Sequence, residues 1–127
     1  MVFLTPAALA HVLKEQSTSK TKWLIIFFAP WAPQCIHLEP VFAEISMKYS
    51  SKQLRFGKID VSRWPIAAKE HKVFIQNGNV DQLPTIIMFE NGKETGRIPH
   101  VYDDGTVAVK RLYKDDIIAA FGLNEMR

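Results

Sequence analysis

The sequence predicts an α/β fold in which a mixed sheet carries helices on both faces. Three observations predict it. A continuous apolar run, Trp23 to Phe28, reads as a strand buried on both sides. Helical and strand periodicities then alternate along the first two thirds of the chain, which implies parallel strands joined by crossovers. Finally, Thr85–Phe89 and Lys93–Pro99 flank Asn91-Gly92, whose turn chemistry makes an antiparallel hairpin.

The elements follow in order. Val2-Phe3-Leu4 begins a short strand. Thr5 caps a helix whose first position is Pro6, where the missing N–H costs nothing, and Leu9, Val12 and Leu13 give it an apolar face to about Gln16. Ser17 to Thr21 is a polar loop. Pro30 and Pro33 end the Trp23–Phe28 strand. From Gln34 the period changes: Leu38, Val41, Phe42, Ile45 and Tyr49 recur at helical spacing, with Pro40 inside as a kink. Leu54–Val61 alternates as a strand. Trp64-Pro65 opens a short helix to about His71, and 74–82 is a loop with an Asn-Gly turn. Asp103-Asp104-Gly105 turns into Thr106–Lys110. Asp115–Phe121 closes as a helix with Ile117, Ile118 and Phe121 on one face. The order is β-α-β-α-β-α-β-β-α, and the 127 residues suit one domain, 1–127.

Composition limits the function. Sixteen basic and thirteen acidic residues leave a net charge of +3, spread from Lys14 to Arg127 with no dense basic patch, so no nucleic-acid partner is expected. The longest apolar stretch, Trp23 to Pro33, is far short of the roughly 20 residues that span a bilayer, and no signal peptide is recognisable. The chain as given is therefore expected to be soluble. His11, His37, His71 and His100 are scattered, and Cys35 and His37 would face apart on a helix, so no metal site is expected. No phosphate-binding loop or Ser-His-Asp ordering is present, and no cofactor is implied. Cys35 is the single cysteine, so no intramolecular disulfide forms.

Several separated motifs together resemble the thioredoxin superfamily, over almost the whole chain. They are Ala29-Pro30-Trp31-x-x-x-Cys35 after an apolar strand, a Pro-containing helix, Phe56-Gly57-Lys58-Ile59-Asp60, Leu83-Pro84-Thr85 and Asn91-Gly92-Lys93. The resemblance implies the thioredoxin fold, a three-layer α/β/α sandwich around a central mixed sheet. The lengthened loop 73–82, the FGKIDV strand, Asp103-Asp104-Gly105 and the ending Phe121 to Glu125 are most like the thioredoxin-related transmembrane branch. That likeness implies a parent protein anchored in the endoplasmic reticulum membrane, with a degenerate Trp-x-x-x-Cys active site.

The resemblance also implies roles for particular residues. The active-site loop is Trp31, Ala32, Pro33 and Gln34, leading to Cys35. In dithiol members the first cysteine attacks and the second resolves the mixed disulfide. Here Ala32 stands at the first position and Cys35 at the second, so the two-electron cycle cannot close within the domain. The family's buried carboxylate ahead of the loop corresponds to Ile26, which cannot accept a proton, and Lys58 is expected to lack its usual acidic neighbour. Leu83 and Pro84 correspond to the partner groove, with a cis peptide bond at Pro84.

Two readings of Ala32 are open: a natural loss, or a replacement in an active Trp-Cys-Pro-Gln-Cys motif, and Ile26 favours the first. Cys35 is either a packed, inert thiol or a reactive monothiol near a helix start. Trp31 is either an exposed binding aromatic or partly packed. The function expected is a redox-poor module that binds protein partners. The alternative is a monothiol protein-disulfide oxidoreductase or redox sensor acting on thiol-bearing polypeptides through Cys35, with weak activity and with a Cys35-linked dimer as a further expectation.

Overall fold

The computed structural model describes residues 1–16, 20–73, 83–98 and 113–126. Its elements are β1 (Val2–Phe3), α1 (Pro6–Gln16), β2 (Lys22–Phe28), α2 (Pro33–Tyr49), β3 (Leu54–Asp60), α3 (Pro65–Glu70), β4 (Thr85–Glu90), β5 (Lys93–Ile98) and α4 (Lys114–Ala120). A 3-10 turn, Leu123–Met126, follows α4 and is absent from the sequence reading. The loop at 74–82, Pro99, the Asp103-Asp104-Gly105 turn and the Thr106–Lys110 segment lie outside the described residues.

The sheet order is β1-β3-β2-β4-β5. β1, β3 and β2 are parallel; β4 is antiparallel to β2, and β5 to β4. This is the mixed sheet the sequence predicts. The β4–β5 turn is Asn91-Gly92 with both residues at positive φ, 56° and 78°, the conformation that lets a two-residue turn match the twist of its strands.

The order also fixes the layers. The connection from β1 to β2 passes β3 in one direction, and the connection from β2 to β3 steps back. Right-handed crossovers therefore set α1 and α2 on opposite faces. Register shows what each face carries. Trp23, Ile25 and Phe27 share a face with Gly57, Ile59, Ile87 and Phe89; Leu24, Ile26 and Phe28 share the other with Phe56, Lys58, Ile86 and Met88. Both sets are buried apart from half-buried Lys58, which explains the unbroken apolar run of β2.

Leu4 leads into α1 on the Trp23 face, where it comes so close to Gly57 that a Cβ there would stand 2.8 Å from its Cδ1. His71, at the end of α3, packs on the same face between Phe27 and Phe89, with ring centroids 5.4 and 5.5 Å away. On the opposite face, Phe42 of α2 meets Phe56 edge-on at 5.7 Å. α4 joins α2 there: Lys114 Nζ lies 2.8 Å from Glu44 Oε1, and the Tyr49 hydroxyl donates to Asn124 at 2.6 Å.

Local chemistry explains the ends. Thr5 Oγ1 accepts from the Ala8 N–H at 3.1 Å and caps α1. α2 begins at Pro33, one residue before the expected start, because proline is tolerated at the first helical position. It continues through Pro40, whose ring nitrogen cannot donate to the Ile36 carbonyl. Asp116 reaches back to accept from the Tyr113 N–H at 3.0 Å and starts α4.

Candidate functional site

The loop between β2 and α2 follows from its sequence. Pro30 ends the strand, the Ala32 N–H donates to the Ala29 carbonyl at 3.1 Å, and the Ala32 carbonyl accepts from Cys35 and Ile36 at 3.0 and 3.1 Å. Ala32 is thus the residue at which α2 begins, and it provides no side-chain cap. Its methyl is fully buried, so the position that would carry an attacking thiol is closed as well as chemically empty.

Trp31 and Cys35 diverge. Trp31 is 57% exposed, and Pro33 and Gln34 are exposed beside it. Cys35 is 3% exposed. A helix N-terminus ordinarily stabilises a thiolate. Here burial outweighs it: removal from water pushes the Cys35 thiol up from the ordinary 9.0, the Ala29 backbone hydrogen bond opposes this, and the carboxylates of Asp60 and Glu39 push it further up. At neutral pH Cys35 is a protonated thiol.

Ile26 and Lys58 are Cα partners across the β2–β3 ladder and line one narrow cleft with Cys35. Lys58 lacks its usual acidic neighbour at Ile26, as expected, but has another. Ile26 supplies no carboxylate, but α2 does: Lys58 Nζ lies 3.4 Å from Glu39 Oε1. The signal was in the sequence, since Cys35 and Glu39 are four residues apart and share a helix face.

The Leu83–Pro84 peptide bond is cis. Both residues are buried, Leu83 at 1% exposure. Sequence reasoning passed over two exposed apolar side chains on the helices near the loop: Ile36 of α2, at 59%, and Ile66 of α3. Tyr113, also exposed, meets His37 edge-on at 6.5 Å. Among the described residues no group of three or more His, Cys, Asp or Glu could hold a metal ion.

Chemically, one buried thiol with no second thiol in the chain can form a mixed disulfide but cannot resolve it internally. The exposed part of the loop is the Trp31 indole, with Pro33 and Gln34 beside it.

The thioredoxin family profile matches residues 1–107. The chain is 40% identical over 119 residues to the thioredoxin-related transmembrane protein 2 homolog of Drosophila melanogaster, covering 92% of this chain and 44% of that protein. It is 35% identical over 111 residues to thioredoxin-related transmembrane protein 2 of Xenopus tropicalis, covering 87% and 38%. The chain therefore spans about two fifths of the length of these relatives. Among solved structures, a thioredoxin from Nicotiana alata superimposes with a TM-score of 0.70 at 23% identity, covering 93% of this chain and 86% of that one. Fasciola hepatica thioredoxin gives 0.69 at 20% identity over the whole of both chains. At these identities the structures establish the thioredoxin fold alone.

Proposed function

The chain belongs to the thioredoxin family, and from that footing we propose that it is a redox-poor binding module, an adaptor that holds extended protein segments without exchanging disulfides with them. The observation that carries the reading is the split at the loop: the attacking position is a buried alanine, while Trp31 stays exposed. Exposed aromatic area is a recurring basis for gripping polypeptides. In this reading Trp31 and the Leu83 backbone are the contacts, and the sulfur of Cys35 is dispensable.

The test is titration with extended, cysteine-free peptides, followed by backbone NMR shifts in the wild type and in Cys35→Ser. Shifts gathered at Trp31 and Leu83, unchanged by Cys35→Ser, support the module. Shifts scattered over the surface, or lost in Cys35→Ser, contradict it.

The proposal extends to the parent protein, a membrane-anchored protein of the endoplasmic reticulum with this domain in the aqueous phase. The relatives' names describe transmembrane proteins, and about three fifths of their length lies beyond what this chain matches. No helix among the described residues is long and apolar enough to cross a membrane. Carbonate extraction and compartment markers on the full-length parent test this.

One observation favours a second reading. Cys35, although buried, lines a small cleft whose other lining residues include Glu39 and Lys58. A monothiol oxidoreductase or sensor acting through Cys35, able also to link two chains, would use such access. A disulfide-linked species on a non-reducing gel, lost in Cys35→Ser, supports it; Cys35 that labels only on unfolding excludes it.

A further inference from the structure

The cleft beside Cys35 is lined by Met1, Ile26, Phe28 and Phe42 and by two residues with charged side chains, Glu39 and Lys58. It offers about 10 Å³ of water-accessible space, roughly enough for one water. Cys35 and Glu39 reach it from successive turns of α2, and Lys58 comes from β3, in register with Ile26.

Lys58 is fully engaged. Its ammonium lies 3.4 Å from Glu39 Oε1, 4.3 Å over the Phe3 ring and 5.8 Å from the centre of Phe28. Its side chain is 18% exposed, whereas that of Glu39 is 58% exposed, so the carboxylate is the member of the pair that solvent or a partner can reach.

We infer that Glu39 is the control residue for Cys35: it occupies Lys58 and leaves the thiol facing a carboxylate where a free ammonium would otherwise stand. The inference deepens the monothiol reading and depends on it for biological use. Asp60, on β3, is the other carboxylate acting against the thiolate, and the Ala29 backbone hydrogen bond acts for it. Asp60 is tied to its own turn, accepting from Ser62 N and Oγ at 2.9 and 2.6 Å, which leaves Glu39 as the adjustable group. A basic side chain offered to Glu39 by a partner would neutralise the opposing carboxylate and release Lys58 in one step. Cys35 would then lose its proton to water more readily and become nucleophilic.

The experiment measures thiolate absorbance against pH, and the iodoacetamide rate at neutral pH, in the wild type, Glu39→Gln, Glu39→Asp, Lys58→Met and the Glu39→Gln/Lys58→Met double variant. Circular dichroism verifies the fold of each. Glu39→Gln is expected to move the thiolate transition to lower pH and to raise the rate about two- to fivefold, the factor that corresponds to the coupling of an exposed pair. Glu39→Asp, which keeps the charge, stays near the wild type, and most of the gain disappears in the double variant. A thiol that titrates identically in the wild type and Glu39→Gln contradicts the control alone, as does a gain that persists in full without Lys58. A thiol that does not titrate before unfolding in any variant contradicts the control and the monothiol reading together.

Discussion

Trp31 and Cys35 stand four residues apart on one loop and face opposite media, the indole 57% exposed and the thiol 3%. The divergence arises because α2 begins between them. Ala32 is its boundary residue, and Cys35 lies inside the first turn, with its N–H bonded to the Ala32 carbonyl at 3.0 Å. The exposed aromatic and the thiol are thereby held on different sides of the helix start.

Trp31→Ala should cost little stability, within about 0.5 kcal/mol, because an exposed side chain has few contacts to lose. Phe42→Ala, which empties a buried site against Phe56, should cost about 3–5 kcal/mol. Denaturant unfolding of the two variants checks this. A large loss from Trp31→Ala would show that the indole is structural.

Cys35 should resist alkylation in the folded protein, at least about tenfold against the unfolded chain at neutral pH, because it is buried and protonated. Its raised folded-state value also links it to stability. Below the unfolded-state value both states hold the proton and the contribution is complete. As pH rises the unfolded chain ionises first, so stability falls until the folded thiol ionises too. Unfolding free energies for the wild type and Cys35→Ala across the alkaline range should converge as pH rises.

His71 gives the opposite sign. Burial is the main cause that pushes its imidazole below the ordinary 6.5; Glu70 and Glu94 pull it up, and Arg97 pushes it down. Above 6.5 the ring is neutral in both states and its contribution is complete. As pH falls, the unfolded chain takes the proton first, and stability drops until the folded ring is protonated. His71→Gln should be flatter than the wild type between about pH 7 and pH 5, measured by denaturant unfolding. An identical slope would remove His71 as the cause.

Gly57→Ala should destabilise by about 1–3 kcal/mol, since the new methyl would meet Leu4 Cδ1 at 2.8 Å and Trp23 Cζ3 at 3.4 Å in a closed core. Thermal unfolding checks it. A neutral outcome would mean that Leu4 moves aside freely.

The fold was legible because its signals are local and redundant. The β2 run, the Thr5-Pro6 start and Asn91-Gly92 each name their element without reference to the rest of the chain. The site was legible only in part. Ala32, Ile26 and Cys35 could be placed by pattern, but burial could not: nothing local in Trp31-Ala32-Pro33-Gln34-Cys35 says that the indole faces water and the alanine does not. Helical spacing puts Glu39 on the face of Cys35, but its pairing with Lys58, nineteen residues away, is set only when α2 packs on β3. Ile36 and Ile66 read as ordinary helix positions until packing left them outside.

A loop with exposed Trp31 and no second thiol is proposed to bind without dithiol exchange. Insulin reduction driven by dithiothreitol, with an active dithiol thioredoxin run in parallel, is the decisive measurement. Insulin should precipitate no faster with this chain than with dithiothreitol alone. Turnover near that of the dithiol thioredoxin would contradict it.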